Sequence, residues 1–155
     1  MTMKIVDAHE KNFLDEIRSL FAEYAESLGT SLDFQNFDQE LAGLPGDYVP
    51  PEGALLLAIE DEKSVGCIAM RKLGNDSCEM KRLFVRPAWR DAKLGRVLAE
   101  AIIDRAKKSG YKFMRLDTLP TMDRARMLYK SLGFYEIDAY RYNPIPGTAY
   151  MELKL

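Results

Sequence analysis

Two cysteines and one histidine in 155 residues supply no cluster of ligands at metal spacing, so a metal site is not expected. A two-residue turn at Gly74 and Asn75 would set Cys67 opposite Arg82 and Cys78 opposite Arg71. The two thiols would then not meet, and both are read as packing residues. His9 is read as a surface residue beside a helix start. Long apolar runs are also missing: none approaches the ~18 residues that span a bilayer. The opening MTMKIVDAHEKNF lacks the apolar stretch and small-residue cleavage site of a secretory signal, so the expected location is cytoplasmic, with no membrane partner. There is no basic excess either. Lys and Arg number 22 against 24 Asp and Glu, a net charge of −2, which argues against nucleic acid as a partner. Neither Gly-x-Gly-x-x-Gly nor a Walker loop occurs, and there are no repeats, linkers or low-complexity tracts.

What is present suits one domain over residues 1–155, long enough to bury a core without disulfides or metal. Met3 to Val6 reads as a strand. Phe13, Leu14, Ile17, Leu20, Phe21, Tyr24 and Leu28 recur at helical spacing, with Asp7 and Glu10 as the start signal and Gly29 as the stop. A short helix is expected from Asn36 to Leu41, then the loop LPGDYVPPEG. Ala54 to Ile59 is apolar almost throughout, as a buried central strand should be. Ser64 to Arg71 and Ser77 to Val85 flank LGND as a hairpin. A long helix follows from Leu94 to Gly110, then a strand from Phe113 to Thr118. Thr121 is the expected cap of a helix that buries Ala125, Leu128, Tyr129 and Leu132, and two strands close the chain. This order implies a mixed α/β (α+β) fold with helices on both faces of a mixed sheet.

The stretch CEMKRLFVRPAWRDAKLGRVLAEAII gathers Lys81, Arg82, Arg86, Arg90, Lys93 and Arg96 around a strand end and a helix start. Unpaired N–H groups at a helix start hold anions, and the cations would add charge to that grip. Arg90-Asp91-Ala92-Lys93-Leu94-Gly95 resembles the coenzyme motif Gln/Arg-x-x-Gly-x-Gly/Ala of the GNAT superfamily of N-acetyltransferases, with Lys93 replacing the middle glycine. ARMLYKSLGF, from Ala125 to Phe134, is similar to a second block of that family. Glu79, six residues before Val85, stands where several members keep a catalytic glutamate.

The resemblance implies a mostly antiparallel mixed sheet of six to seven strands and acetyl transfer from acetyl-CoA to a primary amine of a small molecule or protein. It places the coenzyme on Leu83, Phe84 and Val85, where the strand splays from its neighbour and a backbone N–H can stabilise an oxyanion. The pyrophosphate would sit on Arg90, Asp91, Ala92, Lys93, Leu94, Gly95 and Arg96. Glu79 becomes the expected base and Tyr129 the expected acid. Lysine at position 93 is tolerable in a helical conformation and costs ~1–2 kcal/mol if positive φ is required. Asp91 is a possible cap of the following helix, and Met122 stands where relatives hold asparagine. For the acceptor, Asp33, Asp38, Glu40 and Asp47 would draw a cation, whereas Lys81, Arg82 or Arg141 would bind a carboxylate; the sequence does not choose. The resemblance leaves room for a homodimer, and a non-catalytic acyl-CoA sensor is the competing reading.

Overall fold

The computed structural model describes residues 3–29 and 36–155, without the side chains of Asp91 and Ala92. Seven strands form one sheet in the order β1-β2-β3-β4-β5-β7-β6. They are β1 (Met3–Asp7), β2 (Ala54–Glu60), β3 (Lys63–Lys72), β4 (Ser77–Val85), β5 (Phe113–Thr118), β6 (Tyr135–Ile137) and β7 (Ala149–Lys154). Among the described residues only the β4–β5 pair is parallel. The helices are α1 (Leu14–Ser27), α2 (Phe37–Ala42), α3 (Leu94–Lys108) and α4 (Asp123–Ser131). The expected mixed, mostly antiparallel architecture is the one observed.

Two cores sandwich the sheet. On one face Leu14, Ile17, Leu20 and Phe21 of α1 meet Leu55, Leu57, Cys67 and Phe84. On the other, Leu94, Leu98 and Ile102 of α3 meet Leu56, Ile68 and Met80, with Tyr129 and Phe134 at the end. Alternation along β2 therefore serves both cores, which is why Ala54 to Ala58 reads as one apolar run. Each fully buried Leu or Ile contributes about 1.5–3 kcal/mol. Gly66 lets α3 lie close: a Cβ there would stand 2.9 Å from the Phe84 carbonyl oxygen and 3.1 Å from Leu98 Cδ1.

The hairpin register differs from the sequence expectation. The Leu73 and Gly74 N–H groups both donate to the Ser77 carbonyl, at 2.9 and 3.1 Å, so four residues turn instead of two. Asp76 is held in turn by the Lys112 and Phe113 N–H groups on its carbonyl. Cys78 consequently pairs with Lys72, and Glu79 with Arg71. Farther on, Lys81 pairs with Ala69 and Phe84 with Cys67, so Arg82 and Leu83 together oppose Ile68 in a bulge. The two thiols are apart, buried and unbonded to each other, as expected.

Other local expectations also shift. Asp7 belongs to β1 and pairs with Arg105, so α1 begins only after a 3₁₀ turn at Lys11–Phe13. His9 is half-buried, with its Nδ1 enclosed, and is not a plain surface residue. Thr121 does not cap α4: the Met122 N–H bonds the Leu119 carbonyl, and this turn delays the helix until Asp123.

Candidate active site

β4 and β5 are paired only from Ser77 to Glu79 against Phe113 to Arg115. Beyond that point β4 stays with β3 while β5 stays with β7 up to Thr118. The two strands part, and a cleft opens, lined by Lys81, Leu83, Leu116, Asp117 and Tyr129, with Tyr24 and Leu28 reaching in from α1. Backbone groups of Met80 to Val85 on this side face no partner strand. The Phe84 and Val85 side chains are buried in the cores, so these residues can offer a ligand only their main chain.

Tyr129 is held against Phe134 at 5.7 Å between ring centroids and lines the cleft. Burial raises its pKa well above the ordinary tyrosine value, helped by Tyr24 and Asp117 nearby. Its hydroxyl therefore stays protonated at neutral pH.

At the far end of β4, Pro87–Ala92 forms a 3₁₀ turn leading into α3. Lys93 is the N-cap of α3 at φ 58°, ψ 22°, the left-handed region. Lysine thus occupies the conformation that favours glycine, which resolves the question the sequence left open. The first helical bond runs from the Val97 N–H to the Lys93 carbonyl, so the N–H groups of Leu94, Gly95 and Arg96 precede the helix ladder. Lys93 makes no side-chain cap bond here, and the side chain of Asp91, the expected cap, lies outside the described residues. A Cβ on Gly95 would meet only Leu128 Cδ2, at 3.8 Å, so internal packing does not demand glycine there.

The basic window does not act as one cluster. Arg90 Nε donates to the Val85 carbonyl at 2.9 Å and its guanidinium lies over Phe84. Arg96 pairs with Glu100 and Ser131. Arg86 is bound to Glu23 of α1 and the Ser64 carbonyl. Arg82, at φ 62° in the bulge, gives Nε and one terminal nitrogen to the two oxygens of Glu40, both at 2.9 Å. It also lies over the rings of Tyr24 and Phe37. Helix α2 is thereby fastened to β4.

Glu79 is fully buried. Arg71 Nε donates to its Oε1 at 3.0 Å, Arg141 bonds its Oε2, and the Tyr140 hydroxyl donates to Oε2 at 2.8 Å. Lys81 Nζ stands 3.9 Å from Oε1. Burial alone would raise the Glu79 pKa, but Lys81 and Arg141, with Tyr140 and Arg71, hold it below the usual carboxylate value. Lys81 moves the other way: burial first, then Arg82 beside it, pushes its pKa down to about 7. Lys81 lines both the cleft and a second cavity of about 420 Å³ bordered by Arg71, Tyr140 and Arg141.

Residues 14–134 match the model of the Acetyltransferase (GNAT) family. The chain is an N-acetyltransferase of the GNAT family. It is similar to an uncharacterized N-acetyltransferase of Schizosaccharomyces pombe, 44% identical over 92% of this chain and 88% of that one. In fold it is similar to a GNAT acetyltransferase from Staphylococcus aureus, at TM-score 0.82, 21% identity and 99% coverage of both chains. It also resembles the PaiA N-acetyltransferase from Thermoplasma acidophilum in complex with coenzyme A, at TM-score 0.77, 18% identity and full coverage of both.

Within this GNAT domain, Tyr129, Leu83 and Lys81 share one cleft, whereas Glu79 lies beneath the neighbouring cavity. Arg71 and Tyr140 were not singled out by sequence reasoning. Arg71 became legible only with the four-residue turn, which places it opposite Glu79; Tyr140 comes from a loop far along the chain. Asp33 falls outside the described residues, and Asp38 and Asp47 are exposed. Among the described residues no group of His, Cys, Asp or Glu could hold a metal, and no helix is long and apolar enough to cross a membrane.

Proposed function

We propose that this GNAT enzyme binds acetyl-CoA along the parted edge of β4 and transfers the acetyl group directly to a primary amine. The observation that carries the reading is the cleft itself: the β4 edge beyond Glu79 has no partner strand, Tyr129 lines the opening, and the start of α3 follows β4 after a single 3₁₀ turn. The bound coenzyme would supply a thioester whose carbonyl carbon the amine attacks, with the thiolate as leaving group.

Leu83, Phe84 and Val85 would bond the pantetheine arm through their main chain, as an added strand does. The Val85 carbonyl is already taken by Arg90, so the earlier groups carry most of that pairing. The N–H groups of Leu94, Gly95 and Arg96 would hold the pyrophosphate at the positive end of α3. The room left at Gly95 supports this, because a ligand pressed against that turn would exclude a side chain. Asp91, Ala92 and Lys93 shape the approach through their backbone, and Arg90 and Lys93 add charge nearby.

Tyr129 would protonate the leaving sulfur. Glu79 is better suited to positioning than to accepting a proton, since both oxygens are engaged and its pKa is held low. Lys81 borders the cleft and has a pKa of about 7, the value wanted in a general base near neutrality. It would take the amine proton as its own neutral form, with Glu79 holding the surrounding cations in place.

Calorimetric titration with acetyl-CoA, CoA and NADP, followed by free-thiol release over a broad amine panel, tests the reading. CoA species should bind and NADP should not, and thiol release should depend on amine. Failure of every CoA species to bind would overturn it.

A further inference from the structure

We propose that the 420 Å³ cavity beside Lys81 is the acceptor site and that it selects a small amine carrying a carboxylate, such as a free amino acid. The inference rests on the transferase reading above and names its substrate class.

The cavity has the size of a small-molecule site. It touches the donor cleft at Lys81, which borders both, so an acceptor seated there would have its nucleophile beside the strand edge. Its wall is positive. Arg71 and Arg141 line it, 32% and 19% exposed at the side chain, whereas the Glu79 that joins them is 0% exposed. A ligand therefore meets the two guanidinium groups and not the carboxylate behind them. Glu40 also borders the cavity, but both of its oxygens are committed to Arg82.

Each arginine spends one nitrogen on Glu79, so most of each fork remains for a planar anion. Arg141 is also fixed in place. The Arg141 guanidinium lies over the Tyr140 ring at 5.2 Å, and the Tyr150 hydroxyl donates to the Arg141 carbonyl at 3.0 Å. Pre-set cations bind a carboxylate without further ordering cost and repel acceptors that carry only positive charge. Of the two possibilities that the sequence left standing, the structure removes Arg82 from the carboxylate set, adds Arg71, and favours the anionic acceptor.

The test is steady-state thiol release at saturating acetyl-CoA with matched acceptors: amino acids, their amides, the corresponding decarboxylated amines and aminophosphonates of equal length. The acids should exceed their amides by about 10–100-fold in kcat/KM, the loss expected when charge-assisted hydrogen bonds are removed. Arg141→Gln and Arg71→Gln should raise KM for the acids by a similar factor and collapse the preference for acid over amide within each variant, with KM for acetyl-CoA unchanged. Arg141→Lys keeps the charge on Glu79 and should retain a folded enzyme with intermediate KM, should the glutamine variant fail to fold. Equal or better use of the amides, decarboxylated amines or phosphonates would overturn the carboxylate assignment and leave the transferase reading standing. Bound acetyl-CoA with no transfer to any member of the panel would overturn the transferase reading and this one with it.

Discussion

Lys93 holds a left-handed backbone, at φ 58°, that costs a side-chain-bearing residue about 1–2 kcal/mol relative to glycine. Lys93→Gly should therefore stabilise the fold by about 1 kcal/mol, after the greater freedom of glycine in the unfolded chain is counted. Urea unfolding would show it, and coenzyme affinity should stay equal or improve. A large loss of affinity would mean that the lysine ammonium itself grips phosphate. Tyr129→Phe should lower kcat by about 10²-fold or more while KM for acetyl-CoA changes little; an unchanged kcat removes the hydroxyl from the chemistry. Lys81 makes a pH prediction. Only its neutral form accepts a proton, so kcat/KM should rise with pH through about 7 as Lys81 deprotonates. In Lys81→Met the rate should fall and this limb should vanish; a retained limb would assign it elsewhere. At this scale the motifs singled out Tyr129 and Gly95 as candidates, and the structure sets Tyr129 on the cleft wall. The sequence concealed the state of Glu79, because apart from Lys81 the groups that hold it, Arg71, Tyr140 and Arg141, come from separate segments.

Among the elements, periodicity located each helix and strand of the described residues closely, and the failures were at ends and at one bulge. The β3–β4 turn took four residues because Ser77 accepts two N–H groups, and no dipeptide signal encodes that choice. The bulge at Arg82 and Leu83 was equally hidden. It needs an arginine at positive φ, and what holds that arginine is Glu40, on a short helix distant in sequence. Glu40→Ala would leave the Arg82 guanidinium, 3% exposed, without its carboxylate. Loss of one partner from such a pair costs about 3 kcal/mol. Chemical denaturation should report that drop, and KM for the amine should rise as α2 loosens from the acceptor cavity. A stability change below about 0.5 kcal/mol would mean that ring contacts alone hold Arg82.

For the molecule as a whole, the parting of β4 from β5 divides the sheet into two leaves. Strands β1 to β4 form one and β5 to β7 the other, and among the described residues the rungs between them run from Ser77 to Glu79 against Phe113 to Arg115. Helix packing, not the ladder, must carry the rest of the load across that seam. A ligand laid along the open edge would add the missing rungs, so binding energy would appear partly as mechanical stiffness. Amide hydrogen exchange measures this directly. On saturation with CoA, exchange should slow at β4 amides beyond Glu79 and at Leu94 to Arg96, while the already paired interior of β2 and β3 changes little. Uniform slowing everywhere would mean that the two leaves already behave as one plate. If the prediction holds, the seam is a zip fastener left half open by the chain and closed by its cosubstrate.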